Sequence, residues 1–402
     1  MKRVVKSLLS VTLLLIGVVG VFWMVGWWIS SSMPVYKDSA GNVNYTEKMT
    51  GLYLLEESAA RDDNLIIYGS SELRTTEIPT HPSNFFEGKR NGFQINLVGR
   101  GSCQSLIHAI SVGATEDTLV GKKIVLITSP QSYVPDGIAP DMFMANFSPQ
   151  QYLRLLEDEN ISDEVKQYIS MRVEVLFRRY EEMPESVGTD AVVRYLAEYT
   201  AAPTAYGAVR NAVLSPYYAF SRYCLELKDK VKSKELLNSL EDLPIKESTD
   251  KIDWDNESRL AEELGKEMSS NNDFGMLSDY YTTYIGSRLS RQKNSEASLD
   301  YSVSEEYDDL RVLLELCRQK GIEPLFVHVP LHGQWSDYTG FTKERRQEYY
   351  DNVREIVLEY DVEMLDLTEY EYEEYFLCDV MHLGWKGWLE VDKALIEYYY
   401  SD

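Results

Sequence analysis

Two short stretches hold the residues whose types and spacing could do chemistry. The first is "IIYGSSEL", residues 66–73, where a β-branched and aromatic run gives way to Gly69, two serines and Glu72. A serine between the end of a strand and the first turn of a helix is either a helix cap or a nucleophile. As a nucleophile it would gain from the free N–H groups of that turn, which favour developing negative charge. The second stretch is "CDVMHLGWKGW", in which Asp379 and His382 are three residues apart. One short turn can hold both, so that the carboxylate fixes the imidazole tautomer while the other ring nitrogen faces a serine. A nucleophile, a base and its orienter suit acyl transfer or ester hydrolysis. Taken singly, each stretch has a plainer reading: a capped strand-to-helix turn for the first, an exposed turn for the second.

Such residues need a scaffold that brings distant segments to one edge. "NLIIYGSS", "FQINLVG", "KKIVLITSP", "IEPLFVHVP" and "VEMLDLT" are short apolar runs ending in Gly, Ser, Pro or Thr. Stretches with helical spacing lie between them: "SLIHAISVG", "EEYDDLRVLLELCRQKG" and "KERRQEYYDNVREIVLEYD". Buried strands alternating with helices predict an α/β fold with a doubly wound parallel sheet. From 148 to 302 the sequence instead reads as charged, amphipathic helix with almost no strand-like run, and 225–251 as a solvated helix and loop. The expected organisation is a core over 62–147 and 303–402 interrupted by a helical insertion over 148–302.

Residues 1–30 are expected to be a cytoplasmic basic end and a membrane anchor. Lys2, Arg3 and Lys6 precede a segment with no charged residue from Ser7 to Tyr36, long enough for a helix of about 20 residues to cross a hydrocarbon core. Trp23, Trp27 and Trp28 would sit near the outer interface, and the basic residues place the amino terminus inside. The expectation is a single-pass protein of the cell membrane with 31–402 outside; a cleaved signal peptide is the alternative.

Composition narrows the partners. The 402 residues include 40 Lys and Arg against 65 Asp and Glu, a formal net charge of −25. That field repels nucleic acid and anionic lipid surfaces at long range and suits a neutral or cationic substrate group. Cys103, Cys224, Cys317 and Cys378 are scattered and form no CxxC pair, which excludes zinc-ribbon and thioredoxin-type sites and favours buried thiols. No metal and no cofactor is expected.

The combination of strand–G-x-S near the start and D-x-x-H after the last strand resembles the GDSL or SGNH hydrolase superfamily. That resemblance implies Ser71 as nucleophile, with Asp379 and His382 completing a triad and Ser70 where that family often has Asp. Its oxyanion donors would fall on the serine amide, on Gly99 or Gly101 of "VGRGSCQSL", and on Gln131 of "ITSPQSY", where Asn is usual. "YGSSEL", "HPSNFF", "SPQSY…DGIAPDMFMANFSPQQ", "VPLHGQWSDYTG" and "MHLGWKGW" together resemble the DltD family of D-alanyl-lipoteichoic acid biosynthesis proteins from Gram-positive bacteria. "SPQSY" departs from the tryptophan-containing segment common there.

This second resemblance implies a membrane-anchored, outward-facing acyltransferase that passes D-alanine to teichoic acid. The implied partners are the polymer, a D-alanyl donor, a membrane-bound acyltransferase of the pathway and a D-alanyl carrier protein. His328, His332, Trp335 and Asp337 would then stand near a pocket, with loop packing as the alternative. Arg74, Arg100 and Lys386 are the cations that could offset the acidic field toward a polyanion. An SGNH esterase of other wall groups, a carrier thioesterase and a non-catalytic scaffold remain open as alternatives.

Overall fold

The protein is described by a computed structural model covering residues 2–74, 77–115, 117–244 and 252–401, with the side chains of 2–12 and 15 outside the described set. Five parallel strands form one sheet in the order β2-β1-β3-β4-β5: β1 Asn64–Tyr68, β2 Gln94–Val98, β3 Lys123–Thr128, β4 Glu323–His328 and β5 Glu363–Asp366. Each expected run supplies one of them. Parallel pairing is continuous, from Ile66 beside Asn96 and Ile124 to Val327 beside Leu365.

Side chains alternate across a strand, and here the alternation divides the core in two. Ile66, Tyr68, Ile124, Leu126 and Phe326 point to one face, against the helices Ser105–Gly113, Glu306–Gln319 and Lys343–Glu359. Leu65, Ile67, Val125, Ile127, Leu325 and Val327 point to the other, against Trp385, Trp388, Leu389 and Leu395 of the carboxyl-terminal helix Trp385–Tyr400. Because both faces are covered, the strands read as continuous apolar runs.

Between β3 and β4 the chain is helical, including Pro149–Glu157, Asp163–Glu181, Ala191–Ala201, Ala205–Ser239 and Trp254–Met268. Arg172 ties this segment to the core: its Nε and a terminal nitrogen each lie 3.0 Å from the carboxylate of the buried Asp309, whose other neighbour is the Tyr168 hydroxyl at 2.9 Å. Lys320 Nζ, on the core side, reaches Asp158 at 2.5 Å with both side chains buried. One helix is longer than the sequence marked: the expected helix from 225 is the last part of Ala205–Ser239, which continues through Gly207 and Pro216, residues that would ordinarily break it. The end of the expected loop, 245–251, lies outside the described residues.

The amino-terminal segment is one helix, Lys2–Ser31. Among the described residues no helix is long and apolar enough to cross a membrane. The expected span begins on side chains outside the described set, as do Lys2, Arg3 and Lys6. Within the described part Trp23, Trp27 and Trp28 are all exposed. All four cysteines are free; Cys103 and Cys317 are buried, Cys224 and Cys378 partly so.

Candidate active site

In an open parallel sheet, ligands bind outside the carboxyl ends of the strands, where the strand order reverses. The order here reverses between β1 and β3, and Ser71 opens a short 3-10 turn, Ser71–Leu73, just after β1. The turn is held tightly from below. Gly69 N–H donates to the Val98 carbonyl at 3.0 Å, and the Ser70 N–H donates to Glu72 Oε1 at 2.5 Å. Gly99 lets the neighbouring loop approach: with φ +156°, a Cβ there would stand 1.8 Å from the Gly69 carbonyl oxygen.

His382 and Asp379 arrive on a loop pinched by an antiparallel bridge between Leu377 and Leu383. Asp379 Oδ1 accepts from the amides of Met381 and His382 at 2.9 and 2.8 Å, which fixes the carboxylate to its own turn. Its Oδ2 lies 2.7 Å from His382 Nδ1, and His382 Nε2 lies 2.7 Å from Ser71 Oγ. An ionised carboxylate only accepts, so Nδ1 carries the proton and Nε2 is free to accept from the serine hydroxyl. The sequence-predicted serine, histidine and aspartate thus form one hydrogen-bonded chain across a separation of 311 residues.

The charges reinforce it. Burial alone would lower the His382 pKa, but the hydrogen bond and charge of Asp379, with Glu72 behind, hold it above 6.5. Burial would raise Asp379, yet His382 and the two amides hold it below 3.8. Glu72 itself is pushed up by burial, against the Ser70 amide and the charge of His382. Glu72 was not singled out by sequence reasoning beyond its place in the turn. Its position directly after Ser71, followed by the buried Leu73, is the available signal.

The remaining expected residues distribute around this chain. Gly101 stands beside the nucleophile, its added Cβ being 4.0 Å from Ser71 Cβ, and its carbonyl accepts from Asn146 Nδ2 at 3.1 Å. Ser70 is buried, its hydroxyl 3.4 Å from the Arg100 carbonyl. Gln131 is exposed in the turn Pro130–Tyr133 that follows β3, and among the described residues no hydrogen bond ties it to Ser71 or Gly101.

His332 caps the short helix Gly333–Thr339 through Trp335 N–H at 3.3 Å, and its Nε2 meets the Phe274 carbonyl at 2.9 Å. Its own amide donates to Val380 O at 3.2 Å, so this turn braces the loop of Asp379. Trp335 is buried with Met276 and Ile285 against Val380. His328 is fully buried at the end of β4, its pKa lowered by burial to about 4. Asp337 is engaged by Arg346 at 3.0 Å.

Of the candidate cations, Arg100 Nε is occupied by Asn146 Oδ1 at 2.6 Å and Lys386 by Glu373, while Arg74 is exposed at the end of the serine turn. Among the described residues no group of His, Cys, Asp or Glu could hold a metal ion.

Fold and site together define a class: a parallel α/β protein with a hydrogen-bonded serine, histidine and aspartate at the carboxyl edge of its sheet. The chain belongs to the DltD family, residues 42–400 matching the family described as "DltD protein". It is 34% identical to Protein DltD of Bacillus subtilis (strain 168) over 365 residues, which is 90% of this chain and 89% of the relative. It is 28% identical to Protein DltD of Staphylococcus aureus over 333 residues, 83% of this chain and 80% of that one. With Protein DltD of Lacticaseibacillus rhamnosus the identity is 27% over 348 residues, covering 85% and 78%.

Proposed function

We propose that the chain acts in the D-alanylation of teichoic acid as a serine-dependent acyltransferase of SGNH type, held at the outer face of the membrane by its amino-terminal helix. The observation that carries this reading is the 2.7 Å approach of His382 Nε2 to Ser71 Oγ, with Asp379 2.7 Å behind the ring. Family membership directs the chemistry toward D-alanyl esters. Ser71 Oγ attacks the carbonyl carbon of a D-alanyl ester or thioester, and its proton passes to His382 Nε2. The donor's C–O or C–S bond breaks, and its alcohol or thiol leaves with that proton. A hydroxyl of the polymer then gives its proton to His382 and attacks the acyl-serine ester; the bond from the acyl carbon to Ser71 Oγ breaks, His382 returns that proton to Ser71 Oγ, and D-alanine is left esterified to the polymer.

The amides of Ser71 and Gly101 are the proposed donors to the tetrahedral oxyanion, with the Gln131 side chain as a third. Ser70 shapes the turn beneath them, and His332 and Trp335 hold the wall on the Asp379 side. The net charge of −25 favours the alanyl ammonium over the polymer's phosphates, so the polymer must approach by a local path. The donor reaches the site through the membrane-bound acyltransferase of the pathway, which places the D-alanyl carrier protein on the other side.

The test is the D-alanine ester content of wall and lipoteichoic acid in cells whose only copy is Ser71→Ala at wild-type protein level. Loss of ester with the protein intact is expected. Normal ester content would overturn the acyltransferase reading and leave a scaffold that gathers the other proteins.

A further inference from the structure

The segment "IPTHPSNFF", residues 78–86, supplies no member of the hydrogen-bonded chain at Ser71, yet two adjacent side chains of it reach both loops that build that chain. The His81 amide closes a turn on the Ile78 carbonyl at 3.0 Å, and Pro82 starts the short helix Pro82–Phe85 with His81 as its cap. Thr80 and His81 are both buried. A buried polar side chain needs a partner, and here the partners belong to the two catalytic loops. His81 Nε2 lies 3.2 Å from the carbonyl oxygen of Glu72, the residue after the nucleophile. Thr80 Oγ1 donates at 2.7 Å to the carbonyl of Trp385, three residues beyond His382.

The neighbours of His81 leave it one tautomer. A carbonyl only accepts, so Nε2 carries the proton and donates to Glu72. Nδ1 then accepts, from the Ser83 amide at 3.2 Å and the Ser83 hydroxyl at 2.7 Å. Burial keeps the ring neutral, its pKa lowered to about 4. The Trp388 ring, on the helix that follows His382, meets the imidazole edge-on at 4.9 Å. Within the serine turn the Ser70 and Ser71 carbonyls are taken by the amides of Leu73 and Arg74 at 3.3 and 3.1 Å, while the Glu72 carbonyl turns to His81.

We propose that His81 and Thr80 are positioning residues for the serine–histidine pair: His81 holds the turn of Ser71 through the Glu72 carbonyl, Thr80 holds the loop of His382 through the Trp385 carbonyl, and together they fix the separation across which the proton passes. Ser71 and His382 come from loops 311 residues apart in the chain. A misplacement of about 1 Å between such groups can cost on the order of 100-fold in rate. The Asp379 bonds orient the imidazole within its own loop, and the bond from Gly69 to Val98 ties the serine turn to β2. Neither joins one catalytic loop to the other, whereas residues 80 and 81 do, and both act on backbone carbonyls, which place the chain itself. This inference rests on the triad reading of Ser71, His382 and Asp379.

The test measures, in the full-length protein, the rate at which a serine-directed fluorophosphonate modifies Ser71, with thermal unfolding of each variant beside it. His81→Gln can place an amide N–H where Nε2 stands, whereas His81→Asn can replace only Nδ1. With both variants folded at the assay temperature, Asn is expected to slow trapping by at least roughly tenfold and Gln to keep most of the parent rate. Thr80→Val, which keeps the shape and removes the hydroxyl, should slow trapping likewise, and Thr80→Ser should restore it; this pair decides the matter where His81→Asn does not fold. Parent rates in the Asn and Val variants would overturn the positioning role and leave the triad intact. Equal slowing in Asn and Gln, or in Val and Ser, would reduce the segment to packing and overturn the role as well. Absence of a Ser71 adduct in the parent protein would overturn the triad reading and this inference with it.

Discussion

At the scale of single residues, the site rests on one choice of tautomer. Asp379 holds the proton on His382 Nδ1, and replacing it by Asn lets the ring present a protonated nitrogen to Ser71 instead. Asp379→Asn should therefore slow acylation of Ser71 by an activated ester by on the order of 10⁴-fold while the protein stays folded. The pH dependence follows from the direction of the shift. His382 must be neutral to accept the serine proton, and its pKa is held above 6.5 by Asp379 and Glu72. The acylation rate should rise with pH through an inflection above 6.5, and Glu72→Gln should move that inflection down without abolishing the rate. A pH profile of single-turnover acylation reads both; an inflection unmoved in the Gln variant would remove Glu72 from the electrostatics of the site.

At the scale of elements, three loops meet at one sheet edge, and each is fixed by a contact that a substitution can break. Gly99→Ala would drive a Cβ to within 1.8 Å of the Gly69 carbonyl oxygen, a backbone clash that no rotamer relieves. The serine turn must shift, so the variant is expected to lose acylation even where it folds, as circular dichroism and the acylation rate together would show. Arg172→Ala strands Asp309 in the core and should cost about 3–5 kcal/mol of stability, measured by denaturant unfolding. The five strands were legible because each is a short β-branched run ended by a turn residue, and Ser71, Asp379 and His382 because their types and places in those turns fit a known chemistry. The amino half of the helix Ala205–Ser239 was not, since Gly207 and Pro216 argue locally against a helix there. Nor was the bracing of Val380 by His332 and Trp335, because nothing local in a sequence pairs residues about 50 apart across two loops.

At the scale of the whole molecule, the acidic excess reaches the core as well as the surface. Asp392 is fully buried on the carboxyl-terminal helix, and among the described residues neither of its carboxylate oxygens has a hydrogen-bond partner. Burial, and then the charge of Glu257, push its pKa well above 3.8. A raised carboxyl pKa means the folded state holds this proton while the unfolded chain releases it, so the group's stability is present below about 3.8 and is lost as pH rises toward the folded value. Asp392→Asn should melt at a higher temperature than the parent at about pH 7, with the gap closing toward about pH 4. Thermal unfolding at both pH values checks this, and a gap independent of pH would contradict it.

The measurement that tests the central claim most directly is covalent trapping at Ser71. Purified full-length protein is treated with a serine-directed fluorophosphonate, and the modified peptide is located by mass spectrometry, beside the Ser71→Ala and His382→Ala variants. The account predicts the adduct on Ser71, none at that position in the Ser71→Ala variant, and a trapping rate at least roughly 100-fold lower without His382. An adduct elsewhere, or an equal rate in the His382→Ala variant, would contradict an activated serine at this site.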